Sequence, residues 1–281
     1  MSNAIIDVGS NSVRLLFNGK KYTENTQLAE NLMNSGVICD AAAERTRNAV
    51  KSFVGFAKNG GAENVYAFAT EAVRAAKNGK EFAESLLKTG AKVEILPSSQ
   101  EAETGFCGAY PGEGTVTVLD IGGASSELAV GDRNGLRYAH SLPLGSVRLK
   151  DYAPCAEKQA TYAAERVREY GEVPESDKLI AIGGTLSQLC AVMKELDPYD
   201  PEKVHNTVMT KDDVKAAVEK ILAVPVEERT KIKGLHPKKI LVAPAGGILA
   251  LAIMDYLKIT RLTVSEEDNL EGYAKLKNIE L

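Results

Sequence analysis

Cysteine and histidine are scarce in this chain: four of the first and three of the second among 281 residues. Cys39, Cys107, Cys155 and Cys190 lie far apart and form no C-x-x-C pair. A zinc knuckle or redox dithiol is therefore unsupported, and reduced thiols are the expectation. His140, His205 and His236 form no H-E-x-x-H, and no G-x-S-x-G occurs. Zinc-protease and nucleophile-elbow chemistry thus lack their local signatures. No run of about 18 apolar residues exists, which argues against a membrane-spanning helix. The opening MSNAIIDVGSNS lacks the basic start and long apolar core of a secretory leader, so a cytoplasmic location is expected. Positive charge is not in excess either. Lys plus Arg is 34 against 38 Asp plus Glu, a formal net charge of −4. Nucleic-acid polymers, which require a strongly basic surface, are not expected partners, and neither is a membrane. Small anions remain open as ligands, because backbone N–H groups, a cation and a few arginines can hold phosphate in an acidic protein.

What is present has the character of a folded domain pair. Hydrophobic residues at 44% exclude a wholly disordered chain, and the length suits two domains. Ile5 to Gly9 reads as a buried strand entering a glycine turn, and Val13 to Phe17 as its antiparallel return. Further strands are expected at 65–70, 93–96, 115–120, 127–130, 137–142, 179–182 and 262–264. Helical spacing of apolar residues predicts helices at 41–58, 71–77, 80–88, 98–110, 157–170, 184–195, 211–223 and 245–257, with another over the last ten residues. Proline and charge around 197–203 and 225–238 read as loops. Strands alternating with helices indicate α/β layers.

The most informative feature is a repeat. Asp7-Val-Gly-Ser-Asn-Ser12 is matched 113 residues later by Asp120-Ile-Gly-Gly-Ala-Ser125, and Leu15 by Leu128 at the same offset. Either copy alone could be an ordinary hairpin with an Asx-type turn. Two copies about a domain apart indicate a duplicated domain. The chemistry accounts for the spacing. An aspartate at a strand end presents a carboxylate. The glycine lets backbone approach an anion without a Cβ. Successive N–H groups and small hydroxyls then bind phosphate oxygens. On this reading Gly9, Ser10, Asn11 and Ser12 cradle phosphate in the first copy. Gly122, Gly123, Ala124 and Ser125 do so in the second, and Asp7 and Asp120 bind Mg²⁺ directly or through its waters. Gly183-Gly184-Thr185, opening a helix, is a third candidate phosphate site; a plain helix start is the alternative.

Taken in order, these segments resemble the exopolyphosphatase/guanosine pentaphosphate phosphohydrolase family of the actin-like superfamily. DVGSNSVRL (Asp7 to Leu15) and DIGGASSEL (Asp120 to Leu128) are similar to its two phosphate loops. ATEAVRAAKNG (residues 69–79), carrying Arg74 and Asn78, is similar to its Ala-Thr-x-x-x-Arg-x-Ala-x-Asn segment. SSQEAETGFCG (Ser98 to Gly108) resembles its catalytic Glu-Ala helix. SLPLGSVRL (Ser141 to Leu149), IGGT (Ile182 to Thr185) and Val264-Ser265…Leu270-Glu271-Gly272 complete the set. Three positions depart from the pattern: Ala124 stands for a third glycine, Gln100 for a glutamate and Glu103 for a basic residue. The resemblance is to a short form without a C-terminal His-Asp-type domain.

That resemblance implies two actin-like (ribonuclease H-like) α/β domains flanking a central cleft, at 1–115 and 116–268, with a C-terminal helix within 269–281 completing the first. It implies hydrolysis of a terminal phosphoanhydride: orthophosphate leaves inorganic polyphosphate, or the 5′-γ-phosphate leaves guanosine pentaphosphate. Glu101 is then the carboxylate that activates water, Glu127 the second acid of the site, and Arg14 and Arg74 clamp phosphate. Mg²⁺ is the implied cofactor, and a homodimer is compatible by analogy. An ATP-dependent small-molecule kinase of the same superfamily, or a non-catalytic sensor of alarmone or polyphosphate, are the alternative functions. Arg148 is a weaker clamp, and Lys238-Lys239 reads as solvated surface.

Overall fold

The computed structural model describes residues 2–281, which form two compact units. One runs up to Gly108 and is rejoined by Asn269–Leu281; the other is Ala109–Asp268.

The first unit is a five-stranded mixed sheet with helices. Its strands are β1 (Asn3–Val8), β2 (Ser12–Phe17), β3 (Lys20–Asn25), β4 (Asn64–Ala69) and β5 (Lys92–Ile95), in spatial order β3-β2-β1-β4-β5. β1, β2 and β3 form an antiparallel meander, whereas β4 joins β1, and β5 joins β4, in parallel. Every residue of β1 is buried, as expected for a central strand covered on both faces. The helices are α1 (Leu32–Ser35), α2 (Asp40–Asn59), α3 (Glu71–Ala75), α4 (Gly79–Leu87) and α5 (Ser98–Ala109).

The second unit repeats the plan with one added strand. β6 (Val116–Ile121), β7 (Ser126–Asp132), β8 (Gly135–Leu142), β9 (Lys178–Ile182), β10 (Thr207–Thr210) and β11 (Arg261–Val264) lie in the order β10-β11-β9-β6-β7-β8. The β6-β7-β8 meander with parallel β9 and β11 corresponds element for element to β1-β2-β3 with β4 and β5. Its helices are α6 (Ser146–Tyr152), α7 (Ala156–Arg166), α8 (Gly184–Met193), α9 (Pro201–Val204), α10 (Lys211–Leu222) and α11 (Val242–Tyr256). α11 has eleven buried residues and packs into one large core with Leu119, Leu128, Leu189 and Val264.

The chain then returns to the first unit in α12 (Asn269–Leu276). Tyr273 stacks on Phe68 at 4.7 Å between ring centroids, within a core that includes Ile5, Leu16, Leu96 and Leu270. Such a ring pair contributes roughly 0.5–1.5 kcal/mol beyond the area it buries. Gly272 is required here, because a Cβ would stand 1.7 Å from the Thr104 carbonyl oxygen of α5. Lys275 then caps the end of α5 by donating to the carbonyls of Cys107 and Gly108, each at 3.1 Å. α12 therefore holds the helix that carries Glu101.

The α/β class and the elements read from the sequence are present, with local differences. The units divide at Gly108/Ala109 rather than near 115, because the segment before β6 is tied to the second unit. Thr115 N–H donates to Asp177 Oδ2 at 2.9 Å, and Asp177 N–H to the Thr115 carbonyl at 2.8 Å. The expected loop at 225–238 contains a 3-10 turn at Val226–Lys231, and that at 197–203 opens into α9.

Candidate functional site

The two copies of the repeat fold into the same turn. Gly9 N–H donates to the Ser12 carbonyl at 3.0 Å, and Gly122 N–H to the Ser125 carbonyl at 3.0 Å. Asp7 faces Arg14 across β1 and β2, and Asp120 faces Glu127 across β6 and β7. These pairs occupy equivalent positions in the two copies, with arginine as the partner in the first and glutamate in the second.

Each loop is anchored through its carbonyls. In the first unit, the Ser10 carbonyl accepts from Ala29 N–H at 2.8 Å, and the Asn11 carbonyl from Thr26 at 3.1 Å and Gln27 at 2.9 Å. In the second unit, the Gly122 carbonyl accepts from Ser146 N–H at 2.9 Å. The Gly123 carbonyl accepts from Val147 at 2.8 Å and Arg148 at 3.2 Å. In a planar trans peptide the N–H of the next residue points opposite to the carbonyl. The anchoring thus points the N–H groups of Asn11 and Ser12, and of Gly123 and Ala124, away from those anchoring donors. Successive N–H groups aimed one way form an anion-binding nest. Gly145 permits the second contact, since a Cβ there would lie 2.5 Å from Gly123 carbonyl carbon. Ala124 is wholly buried and Ser125 nearly so.

The acidic residues have different surroundings. Asp7 Oδ2 accepts from Arg14 Nε at 3.0 Å and also from its Nη2. Arg14, expected as a phosphate clamp, lies on this carboxylate. Glu101 on α5 is buried, at 7% exposure, and its Oε2 is 2.7 Å from Arg74 Nη1. Arg74 is itself fixed on two further sides, donating to the Leu96 carbonyl at 2.6 Å and to Glu71 Oε2 at 3.0 Å. A buried carboxylate without such a countercharge would be strongly destabilising. Asn78, in the same motif, exchanges two hydrogen bonds of 2.9 Å with the Ile38 backbone, an anchoring role.

In the second unit, Asp120 and Glu127 are directly opposed on adjacent strands, so their side chains share one sheet face. Glu127 is buried and accepts from the Ser141 hydroxyl at 2.6 Å. Tyr170, whose hydroxyl bonds the Ser126 hydroxyl at 2.7 Å, lies close behind. Burial pushes its phenol well above the usual range, and the charges of Glu127 and Asp120 add to the effect. Gly183 closes on Asp120: a Cβ there would lie 2.5 Å from Asp120 Oδ1. Thr185 donates to the Ile121 carbonyl at 2.8 Å, which links the third glycine turn to the end of β6. Lys239 contradicts its reading as solvated surface by donating to the Gly184 carbonyl at 2.8 Å. Sequence reasoning missed it because a lysine pair in a loop carries no signal of what it reaches. Cys107 shows no sign of activation, its thiol being pushed up by burial and by Glu103.

Among the described residues, no group of three or more His, Cys, Asp or Glu side chains is placed to hold a metal ion. The Asp120–Glu127 pair nevertheless suits a hard cation. Two opposed carboxylates repel each other, and Mg²⁺ is usually bound by one or two carboxylates, with water and substrate oxygens completing its shell. Asp7 fits direct ligation less well, because a guanidinium already occupies its Oδ2.

The protein is thus a duplicated α/β fold whose glycine hairpins each stand beside a carboxylate. The chain belongs to the Ppx/GppA phosphatase family, whose model matches residues 5–274. It is 29% identical over 311 residues to the bifunctional 3-dehydroquinate synthase/phosphatase of Fusobacterium nucleatum, covering 99% of this chain and 46% of that protein. It is 28% identical over 297 residues to a guanosine-5′-triphosphate,3′-diphosphate pyrophosphatase of Aeromonas hydrophila, covering 96% of this chain and 58% of that protein. The chain thus spans about half the length of these two relatives. The crystal structure of the Aquifex aeolicus Ppx/GppA family member is 30% identical over 100% of this chain and 99% of that one, with a TM-score of 0.79. No helix among the described residues is long and apolar enough to cross a membrane.

Proposed function

We propose that this protein hydrolyses a terminal phosphoanhydride, releasing orthophosphate from inorganic polyphosphate or the 5′-γ-phosphate from guanosine pentaphosphate. The observation that carries the reading is Glu101. In a chain of this family, a glutamate on the motif helix is buried and held by an arginine that is itself fixed on two other sides. A solvated helix glutamate has no need of such support, whereas a base that must take a proton from one water requires a defined position.

Phosphoryl transfer asks the protein for positioning and charge stabilisation rather than covalent chemistry. The N–H groups of Asn11 and Ser12 in the first unit, and those of Gly123 and Ala124 in the second, each with its neighbouring serine hydroxyls, serve as phosphate-binding nests. Gly183, Gly184 and Thr185 set the third turn against Asp120, and Lys239 adds positive charge there. Glu101 accepts the proton of the attacking water, and Arg74 balances its charge. Asp120 and Glu127 would hold Mg²⁺, which when bound would supply charge neutralisation for phosphate oxygens. Asp7, paired with Arg14, orders the first loop.

The test is phosphate release from tripolyphosphate, longer polyphosphates, guanosine pentaphosphate and ATP, with and without Mg²⁺. Glu101→Gln is expected to keep the fold and lower turnover by about 10²-fold or more. Near-wild-type turnover in that variant removes Glu101 as the base.

A further inference from the structure

The first loop is held from behind by a short strap, residues 26–31. Three of its backbone N–H groups, those of Thr26, Gln27 and Ala29, are spent on the carbonyls of Ser10 and Asn11. So many donors can face one way because the strap is sharply bent. Gln27 and Asn31 both adopt left-handed backbone conformations, with φ of 52° and 55°. Thr26, Leu28 and Ala29 are buried, so the strap is seated in the unit rather than laid over it.

One side chain ties this strap to the body of the unit. Arg45, in the second turn of α2, donates through Nε to the Thr26 carbonyl at 3.0 Å and through Nη2 to Glu30 Oε2 at 2.8 Å. It therefore grips the strap at both ends of the stretch that holds the loop. Arg45 lies outside every motif singled out from the sequence. Its side chain is 42% exposed, which makes it removable without opening the core.

We propose that Arg45 is a positioning residue for phosphate binding. It fixes the strap, the strap fixes the carbonyls of Ser10 and Asn11, and those carbonyls set the direction of the Asn11 and Ser12 N–H groups. The proposal rests on reading that loop as a phosphate cradle. Without Arg45 the strap loosens at Thr26, and the two N–H groups lose a common aim. Binding of the substrate phosphates weakens, while the water-activating carboxylate on α5 stays in place. The defect therefore falls mainly on KM.

The experiment compares wild type, Arg45→Ala, Arg45→Lys and Glu30→Gln, with tripolyphosphate as substrate. For Arg45→Ala, KM is expected to rise about fivefold or more, with kcat changed less than about threefold. Arg45→Lys keeps a donor for the Thr26 carbonyl and is expected to recover most of the loss. Glu30→Gln leaves that hydrogen bond intact and is expected to stay near wild type. The direct readout is the amide ¹⁵N–¹H spectrum. Adding non-hydrolysed inorganic phosphate should shift the Asn11 and Ser12 amides in wild type and Arg45→Lys, and shift them clearly less in Arg45→Ala. A folded Arg45→Ala with wild-type KM and wild-type amide shifts overturns the proposal while leaving the phosphatase reading standing. If Arg45→Ala does not fold, Arg45→Lys decides: loss of the amide shifts with the fold retained overturns it. Wild-type protein that neither turns over tripolyphosphate nor shows phosphate-induced shifts at the loop overturns the phosphatase reading and this proposal together.

Discussion

Replacing Gly183 by alanine tests the third glycine turn and the Asp120 carboxylate in one step. Gly183 has φ 77° and ψ 173°, a region essentially reserved for glycine, and holding another residue there costs about 1–3 kcal/mol. The new methyl would also sit 2.5 Å from Asp120 Oδ1. That oxygen ends a short side chain and can swing away, so the collision is relieved by moving Asp120 rather than by unfolding the strand. The expected stability loss is therefore about 2 kcal/mol, with a larger functional effect. Asp120 leaves its place opposite Glu127, and the Mg²⁺ concentration for half-maximal phosphate release rises by about tenfold or more. Denaturant unfolding and a Mg²⁺ titration of phosphate release measure the two effects. Gly55→Ala is the control. Gly55 lies within α2, and a methyl there would meet nothing within 4 Å, so alanine should stabilise by about 0.5–1 kcal/mol. Unchanged stability and unchanged Mg²⁺ dependence in Gly183→Ala would refute both the backbone argument and the assignment of Asp120 to the cation.

The remaining predictions concern charge. Arg74→Ala removes the cation that Glu71 and Glu101 share and strips a donor from the Leu96 carbonyl. A loss of about 3 kcal/mol in denaturant unfolding is expected, and a loss under about 1 kcal/mol would show the cluster to be well solvated. His236 is held below its usual pKa of 6.5 by burial first, then by Lys239 and Lys238. The folded state thus disfavours its protonation, so its contribution to stability is present above about 6.5 and is lost as pH falls toward the depressed folded value. An NMR titration should give a midpoint below 6.5, and a midpoint above that value would mean that the two lysines do not crowd the ring.

The two glycine turns of the candidate site were legible because their geometry is local. Asp7 to Ser12 and Asp120 to Ser125 each build a hairpin from consecutive residues, so matched spacing was enough to expect matched turns. The Gly9–Ser12 and Gly122–Ser125 hydrogen bonds share one geometry. Elements with weak apolar alternation were missed. β3, Lys-Lys-Tyr-Thr-Glu-Asn, is an exposed edge strand, and β10 is four residues at the edge of the second sheet. Edge strands carry polar residues because one side faces water, which removes the periodic signal. α6 was missed for another reason. It begins at Ser146 because its first N–H groups are spent on the carbonyls of Gly122 and Gly123, partners more than twenty residues away in sequence.

Sequence by itself determined the α/β class, the duplication and the residues that carry charge and glycine at each turn, since each follows from spacing within a few residues. Tertiary structure alone decided the partners. It placed Arg14 on Asp7 and Arg74 on Glu101, put Asp120 against Gly183, and brought Lys239 to Gly184 and Arg45 to Thr26. Ion pairs and hydrogen bonds act over about 3 Å, and only the folded chain brings such distant residues within that range.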